Sequence, residues 1–179
     1  MQKPSYSIIE AGPEWSDRYL HFCQKAYKTY YTRTELGITA DLFSEKVFTT
    51  SRVAEYFDRM FTKDPANRVW LAVNGSSILG GVCVQKYLDH CEIKGFYVAP
   101  DLKGQGIGRT LFRKVEEFAD GMELRLDVVN YMQDTINMYK HWGFTIDEAR
   151  GYIEYPWEGW PAKARYANRG IFMMRPAVT

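Results

Sequence analysis

The chain has 179 residues, a length that suits one domain with a proper core, and 46% of them are hydrophobic. Its 23 Lys and Arg residues nearly balance 22 Asp and Glu, for a net charge of +1, so no broad basic surface points to nucleic acid or an anionic membrane. No apolar run approaches membrane-spanning length, and the first residues, Met-Gln-Lys-Pro-Ser-Tyr-Ser, lack the apolar core of a signal peptide. Cys23, Cys83 and Cys91 are odd in number and show no paired spacing, which points to a reducing, cytoplasmic compartment. His21, His90 and His141 are too scattered for a metal site, so no metal is expected.

In chain order, a short strand is expected over Tyr6 to Glu10, ended by Gly12-Pro13. Trp15, Tyr19, Phe22, Ala26 and Tyr30 recur at threes and fours and predict a helix from about Glu14 to Tyr31. Thr39 to Phe61 carries a less regular apolar face (Leu42, Val47, Val53, Phe57, Phe61) and reads as helix in two pieces. After a turn at Asp64-Pro65, Arg68 to Val73 and Ser77 to Gln85 flank Asn74-Gly75, a strong hairpin signal. A further strand over Cys91 to Pro100 runs into a glycine-rich loop and a helix over Gly106 to Asp120. Leu124, Leu126 and Val128 alternate in a strand over Glu123 to Val129, and a helix over Met132 to Trp142 is stopped by Gly143. Strands over Phe144 to Ala149 and Gly170 to Met174 complete the pattern, with an aromatic loop from Tyr152 to Asn168 between them. No repeat, linker or low-complexity segment interrupts residues 1–179, so a single domain is expected.

Most of the chemistry is concentrated in Val98-Ala-Pro-Asp-Leu-Lys-Gly-Gln-Gly-Ile-Gly-Arg-Thr-Leu111. Gly104, Gly106 and Gly108 can turn through positive φ and bring backbone N–H groups to an anion, and the helix behind them aims its unpaired N–H groups at the same spot. Lys103 and Arg109 add charge at the rim of a nest suited to pyrophosphate. A P-loop would need Gly-Lys-Ser/Thr where Ile107-Gly-Arg stands, and a dinucleotide fingerprint would need glycine at Arg109. A kinase glycine loop lacks its His-Arg-Asp and Asp-Phe-Gly partners.

Lys103-Gly-Gln-Gly106-Ile-Gly108 resembles motif A of the GNAT N-acetyltransferases, whose core reads Gln/Arg-x-x-Gly-x-Gly/Ala. Lys103 departs from that pattern at a position the family uses largely through its backbone. The strand ahead of the motif and the helix behind it extend the match to about 30 residues. Ile136-Asn-Met-Tyr139-Lys-His-Trp-Gly143-Phe144 resembles the family's motif B, in the expected order. The resemblance implies an acyl-CoA N-acyltransferase fold, an α/β (α+β) architecture with a mixed, mostly antiparallel six- to seven-stranded sheet flanked by helices. In that fold the fourth and fifth strands lie parallel and splay apart around acetyl-CoA. By the same resemblance, backbone groups of Phe96 and Val98 would meet the thioester carbonyl and pantetheine amides, unless they simply pair within the sheet. Lys103, Gly104, Gln105, Gly106, Ile107, Gly108 and Arg109 would hold the pyrophosphate.

Acetyl transfer to an amine needs a neutral amine, a stabilised oxyanion and a proton for the departing thiolate. Glu92 lies eleven residues before Lys103, where histone-acetylating members of the family place their catalytic glutamate, and a two-residue period would put it on one strand face with Phe96. It is the candidate base, with Asp89 and His90 as fallbacks; the alternative is a carboxylate that is solvated or binds substrate without taking a proton. Tyr139 corresponds to the family tyrosine that protonates the CoA sulfur, the alternative being a tyrosine that only packs. Met132 stands where the family often has an asparagine touching the cofactor, and neither Asn130 nor Asn137 is in register to replace it.

On the acceptor side the family pocket would draw on Tyr27, Tyr30, Tyr31, Tyr155, Trp157 and Trp160, with Glu154 and Glu158. Aromatic faces with carboxylates suit a cationic amine; these aromatics could equally form core or a homodimer contact. Ala26-Tyr-Lys-Thr-Tyr30 is similar to polyamine acetyltransferases of the PaiA type, over too few residues to name a substrate. The expected activity is acetylation of a small-molecule primary amine, polyamine-like or otherwise cationic, by direct attack in a ternary complex. Two other readings stay open: an acyl-CoA-binding sensor or interaction module without turnover, and an ATP-binding protein using the same loop.

Overall fold

The computed structural model describes residues 5–48, 51–155 and 160–178. Strand β1 (Ser7–Glu10) precedes helix α1 (Ser16–Tyr31), and the short helices α2 (Glu45–Phe48) and α3 (Ser51–Met60) follow a 3-10 turn at Ala40–Phe43. Strands β2 (Asn67–Asn74), β3 (Ser77–Lys86) and β4 (His90–Val98) form a meander. Then come α4 (Ile107–Ala119), β5 (Glu123–Val129), α5 (Gln133–His141), β6 (Thr145–Ile146), β7 (Tyr152–Glu154), α6 (Ala162–Ala167) and β8 (Arg169–Arg175).

The eight strands make one sheet in the order β1-β2-β3-β4-β5-β8-β6, with β7 also paired to β8. Among these strands only β4 and β5 pair in parallel. This is the acyl-CoA N-acyltransferase architecture, with one strand more than the sequence pattern suggests. The extra strand lies in the segment read as an aromatic loop: Ile153 pairs with Gly170 on the outer edge of β8, and three residues are too few to show an alternation. The strand expected over Phe144 to Ala149 shrinks to two residues before a 3-10 turn at Glu148–Arg150.

Two cores form, one on each face of the sheet. On one face Ile107, Leu111, Phe112 and Val115 of α4 meet Cys91 and Ile93 of β4 and Leu124 and Leu126 of β5. On the other, Tyr19, Leu20 and Cys23 of α1 meet Phe57, Leu71 and Cys83. The buried stripe of α1 runs through Tyr19, Leu20, Cys23 and Ala26, so Phe22 and Tyr30 lie at its margins. Gly80 and Gly81 allow helices to close on β3 from both sides. A Cβ on Gly80 would lie 3.2 Å from both Ile107 and Leu111, and one on Gly81 would lie 2.5 Å from the Tyr19 ring and 2.7 Å from Leu71.

Gly81→Ala should therefore force Tyr19, which is fully buried, out of its position. The expected destabilisation is about 1–3 kcal/mol, the usual scale for overpacking. Urea unfolding monitored by circular dichroism would measure it, and an unchanged midpoint would show that Tyr19 and Leu71 can give way freely.

Candidate active site

The register between β4 and β5 stops at Ile93↔Leu126. Beyond that rung β4 continues to Val98 and β5 to Val129 without pairing to each other, so backbone groups facing the gap have no sheet partner across it. A cleft of about 830 Å³ opens there, with Gly95, Phe96 and Tyr97 on one bank and Asp127, Val128 and Val129 on the other.

The glycine loop lies beyond the end of β4. Gly104 and Gly106 adopt φ of +83° and +89°, and a Cβ on either would meet nothing within 4 Å, which leaves open room above the loop. Gly108 does not share that conformation, because it is already the second residue of α4. A Cβ there would sit 3.6 Å from Val98 and 3.8 Å from Phe96, so its missing side chain lets the first turn of α4 come close to β4. The first intrahelical bond runs from Thr110 N–H to the Gly106 carbonyl at 3.0 Å. The N–H groups of Ile107, Gly108 and Arg109 therefore precede the helical ladder and can bind an anion, favoured by the helix dipole. The Ile107 side chain is fully buried, so only its backbone can take part. Lys103 and Arg109 are exposed, with Lys103 Nζ 3.8 Å from Asp134.

Phe96 and Val98 both face α4, where the Phe96 ring lies 5.8 Å from Trp142. The Val98 carbonyl accepts a 2.9 Å hydrogen bond from the Tyr30 hydroxyl. Tyr30 thus braces the C-terminal end of β4 and does not line the cleft, whereas Tyr31 and Tyr155 do. Trp157 and Glu158 lie outside the described residues.

Glu92 lines the cleft, but not on the face expected from a two-residue period. Cys83 pairs with Gly95 and Val84 with Ile93, so Lys94 bulges out of the β3 register. The extra residue inverts the alternation: Glu92 pairs with Gln85 on the α1 face, while Phe96 pairs with Val82 on the α4 face. Glu92 and Phe96 are therefore on opposite faces. Lys94 Nζ bonds Glu92 Oε2 at 2.7 Å, and the Lys94 carbonyl accepts from Tyr56 of α3 at 3.0 Å. Asp89 and His90 bond each other at 2.7 Å and do not line the cleft.

Tyr139 comes to the cleft from the opposite face, one helical turn after Thr135. It is buried against Trp142 and Phe144, with ring centroids 5.9 and 5.5 Å away, and burial raises its pKa. Its hydroxyl has no hydrogen-bond partner among the described residues. Gly143, with φ of +86°, ends α5 and lets Phe144 N–H return to the Tyr139 carbonyl at 3.0 Å.

A chain of phenols forms the cleft's floor. The Tyr97 hydroxyl donates to Tyr27 at 2.8 Å and accepts from Tyr31 at 3.4 Å. Asp127 stands opposite, bonded by the Tyr155 hydroxyl. The sequence pattern contains a signal for Asp127: with Leu124, Leu126 and Val128 turned to the α4 core, the residue between the last two must face the cleft. Among the described residues, no cluster of three or more His, Cys, Asp or Glu side chains could hold a metal ion. No described helix is long and apolar enough to cross a membrane.

Burial raises the pKa of Tyr27, Tyr31 and Tyr97, pushing Tyr31 up to about 12. The phenols are neutral in the folded protein, and the stability tied to that neutrality is whole below the unfolded value of about 10 and lost as pH climbs through the folded values. For Tyr31 the window is pH 10 to about 12. The urea midpoint should therefore decline across this window, in step with tyrosinate absorbance. Smooth titration of all tyrosines near pH 10 without unfolding would show that the cleft is wet.

The sequence model of the acetyltransferase (GNAT) family matches residues 23–144. Streptothricin acetyltransferase of Streptomyces lavendulae is 30% identical over 134 residues, covering 66% of this chain and 71% of that protein. Thialysine N-epsilon-acetyltransferase of Mus musculus is 32% identical over 71 residues, or 37% of this chain, and the match spans only 42% of the mouse protein. PaiA N-acetyltransferase from Thermoplasma acidophilum, solved in complex with coenzyme A, superposes with a TM-score of 0.67 at 16% identity, covering 97% of this chain and 99% of that one. At that identity the likeness shows the fold.

Proposed function

Because this chain belongs to the acetyltransferase (GNAT) family, we propose that it transfers the acetyl group of acetyl-CoA to a primary amine of a small cationic acceptor, by direct attack in a ternary complex. The observation that carries the reading is the unpaired gap between β4 and β5, with the glycine loop at one end and a phenol-lined cleft bearing Glu92 and Asp127 on its α1 side. Two relatives named as acetyltransferases of thialysine and streptothricin, and a structural neighbour holding coenzyme A, agree with it.

Acetyl-CoA supplies an acetyl group activated as a thioester. In this reading the loop from Lys103 to Arg109 binds its pyrophosphate, chiefly through the N–H groups of Ile107, Gly108 and Arg109 that precede the helical ladder, and the β4 edge at Phe96 and Val98 receives the pantetheine arm. Glu92 accepts a proton from the acceptor nitrogen through water, giving up its bond to Lys94. Tyr139 donates a proton at the sulfur as the carbon–sulfur bond breaks, and the second proton lost by the nitrogen restores its phenol. The raised pKa of Tyr139 keeps that proton in place until it is needed. Tyr31 and Tyr155 present their rings and hydroxyls to the acceptor.

Free-thiol release from acetyl-CoA across polyamines, amino acids, aminoglycosides and peptides tests the activity. Tyr139→Phe removes only the donor and should lower kcat by on the order of 10² with acetyl-CoA affinity kept. Glu92→Gln should lower kcat/KM at neutral pH and alter the acid limb of its pH profile. A loss under about threefold with an unchanged profile would remove Glu92 from the base's role.

Gly106→Val places a β-branched residue at φ of +89° and should abolish most of the thermal stabilisation by CoA. In the parent protein that stabilisation should reach about 2.7 kcal/mol at 100 times the dissociation constant. An intact shift in the folded variant would mean that CoA binds elsewhere. Stabilisation by acetyl-CoA without thiol release from any amine would instead favour an acyl-CoA-binding module.

A further inference from the structure

Asp127 is the first residue of β5 beyond the last rung shared with β4, on the cleft side of the sheet. One carboxylate oxygen, Oδ2, takes the Tyr155 hydroxyl. Among the described residues no Lys, Arg or His comes within ion-pair distance of it; of the two cations whose fields reach it, Lys94 is paired with Glu92 and Arg150 is stacked 4.0 Å above the Phe172 ring. Burial raises its pKa, with Glu92 adding to the rise, while the Tyr155 bond and the fields of Lys94 and Arg150 oppose it. The other carboxylate of the cleft is already neutralised, since Glu92 holds Lys94 at 2.7 Å. A carboxylate partly withdrawn from water without a cation is destabilised, and a phenol satisfies only part of it. Tyr31, Tyr56 and Tyr155 line the same cleft and supply ring faces that favour a cation.

We propose that Asp127, oriented by Tyr155, is the specificity-determining residue of the acceptor site and holds a second ammonium group of the acceptor, which selects diamines over monoamines. The inference rests on the acetyltransferase reading of this cleft. With Glu92 paired to Lys94, an ammonium on Asp127 neutralises the cleft carboxylate that has no ion-pair partner among the described residues. A fixed carboxylate suits that group better than the reacting nitrogen, because pairing would hold on a proton that must leave. The competing role for Asp127 is purely structural, tying the segment that carries Tyr155 to β5.

Asp127→Asn separates the two roles, since the amide oxygen still accepts from Tyr155 while the charge is gone. Putrescine and butylamine, equal in carbon chain, are the probes. Their affinities for the CoA-saturated protein are measured by calorimetry, and their kcat/KM values by thiol release. The parent protein should favour putrescine by on the order of tenfold or more, as expected of a charge-assisted bond. Asp127→Asn should cut that ratio below about threefold, through Kd and KM and not kcat, whereas Asp127→Glu should restore part of it. Tyr155→Phe should give an intermediate ratio. An undiminished ratio in Asp127→Asn would overturn the proposal, as would a parent protein that binds both amines alike or binds neither. A ratio in binding that collapses in Asp127→Asn, alongside no thiol release from either amine, would support the anchor and refute the transferase reading.

Discussion

The architecture turns on the point where β4 and β5 part. A parallel pair must leave its backbone groups bonded to a neighbour, to water or to a ligand, because burying them unpaired is costly. Here the pairing runs from His90↔Glu123 to Ile93↔Leu126 and then ends inside the sheet. The strands separate because each is held by its other neighbour: β4 stays on β3 as far as Val98↔Gly80, and β5 stays on β8 as far as Val129↔Gly170. The gap is thus built into the sheet and joins the two faces, so that Tyr139 from one and Glu92 and Asp127 from the other border a single cleft.

The bulge at Lys94 decides which residues use that gap. One unpaired residue reverses the alternation of β4, so Ile93 and Phe96 both turn to the α4 core while Glu92 and Tyr97 turn to the α1 side. Without it, Glu92 and Phe96 would compete for the same side of the sheet. The bulge also supplies Lys94, whose ammonium balances Glu92 and whose carbonyl anchors α3 through Tyr56. A local irregularity of one residue therefore sets the charge on the α1 side of the gap and separates it from the α4 side.

Among the described residues, six phenols line the cleft: Tyr27, Tyr31, Tyr56, Tyr97, Tyr139 and Tyr155. Burial keeps Tyr27, Tyr31, Tyr97 and Tyr139 neutral, so they provide hydrogen bonds and ring faces without adding charge. The charged groups of the cleft among the described residues are then the carboxylates of Glu92 and Asp127, the Lys94 ammonium and the Arg59 guanidinium. For the proposed reaction this arrangement suits a cationic acceptor, because neutral rings beside the carboxylates add cation–π attraction without adding charge.

The sequence by itself determined the features set by contiguous residues. Glycine spacing marked the loop, the three- and four-residue recurrence in α1 and α4 marked helices, Asn74-Gly75 marked the hairpin, and the order of the two motifs marked the fold. Each depends on local conformational preference, which the chain carries without its partners. Tertiary structure alone decided the face of Glu92, because a bulge depends on the register of β3 against β4 and leaves no mark in the β4 sequence. It alone showed that Gly108 serves close packing and not a left-handed turn, and that Tyr30 braces β4 while Tyr31 enters the cleft. It alone brought Asp127 and Tyr155 together, across 28 residues of chain. Contacts of that kind are fixed by where the elements dock, and docking is a property of the whole core.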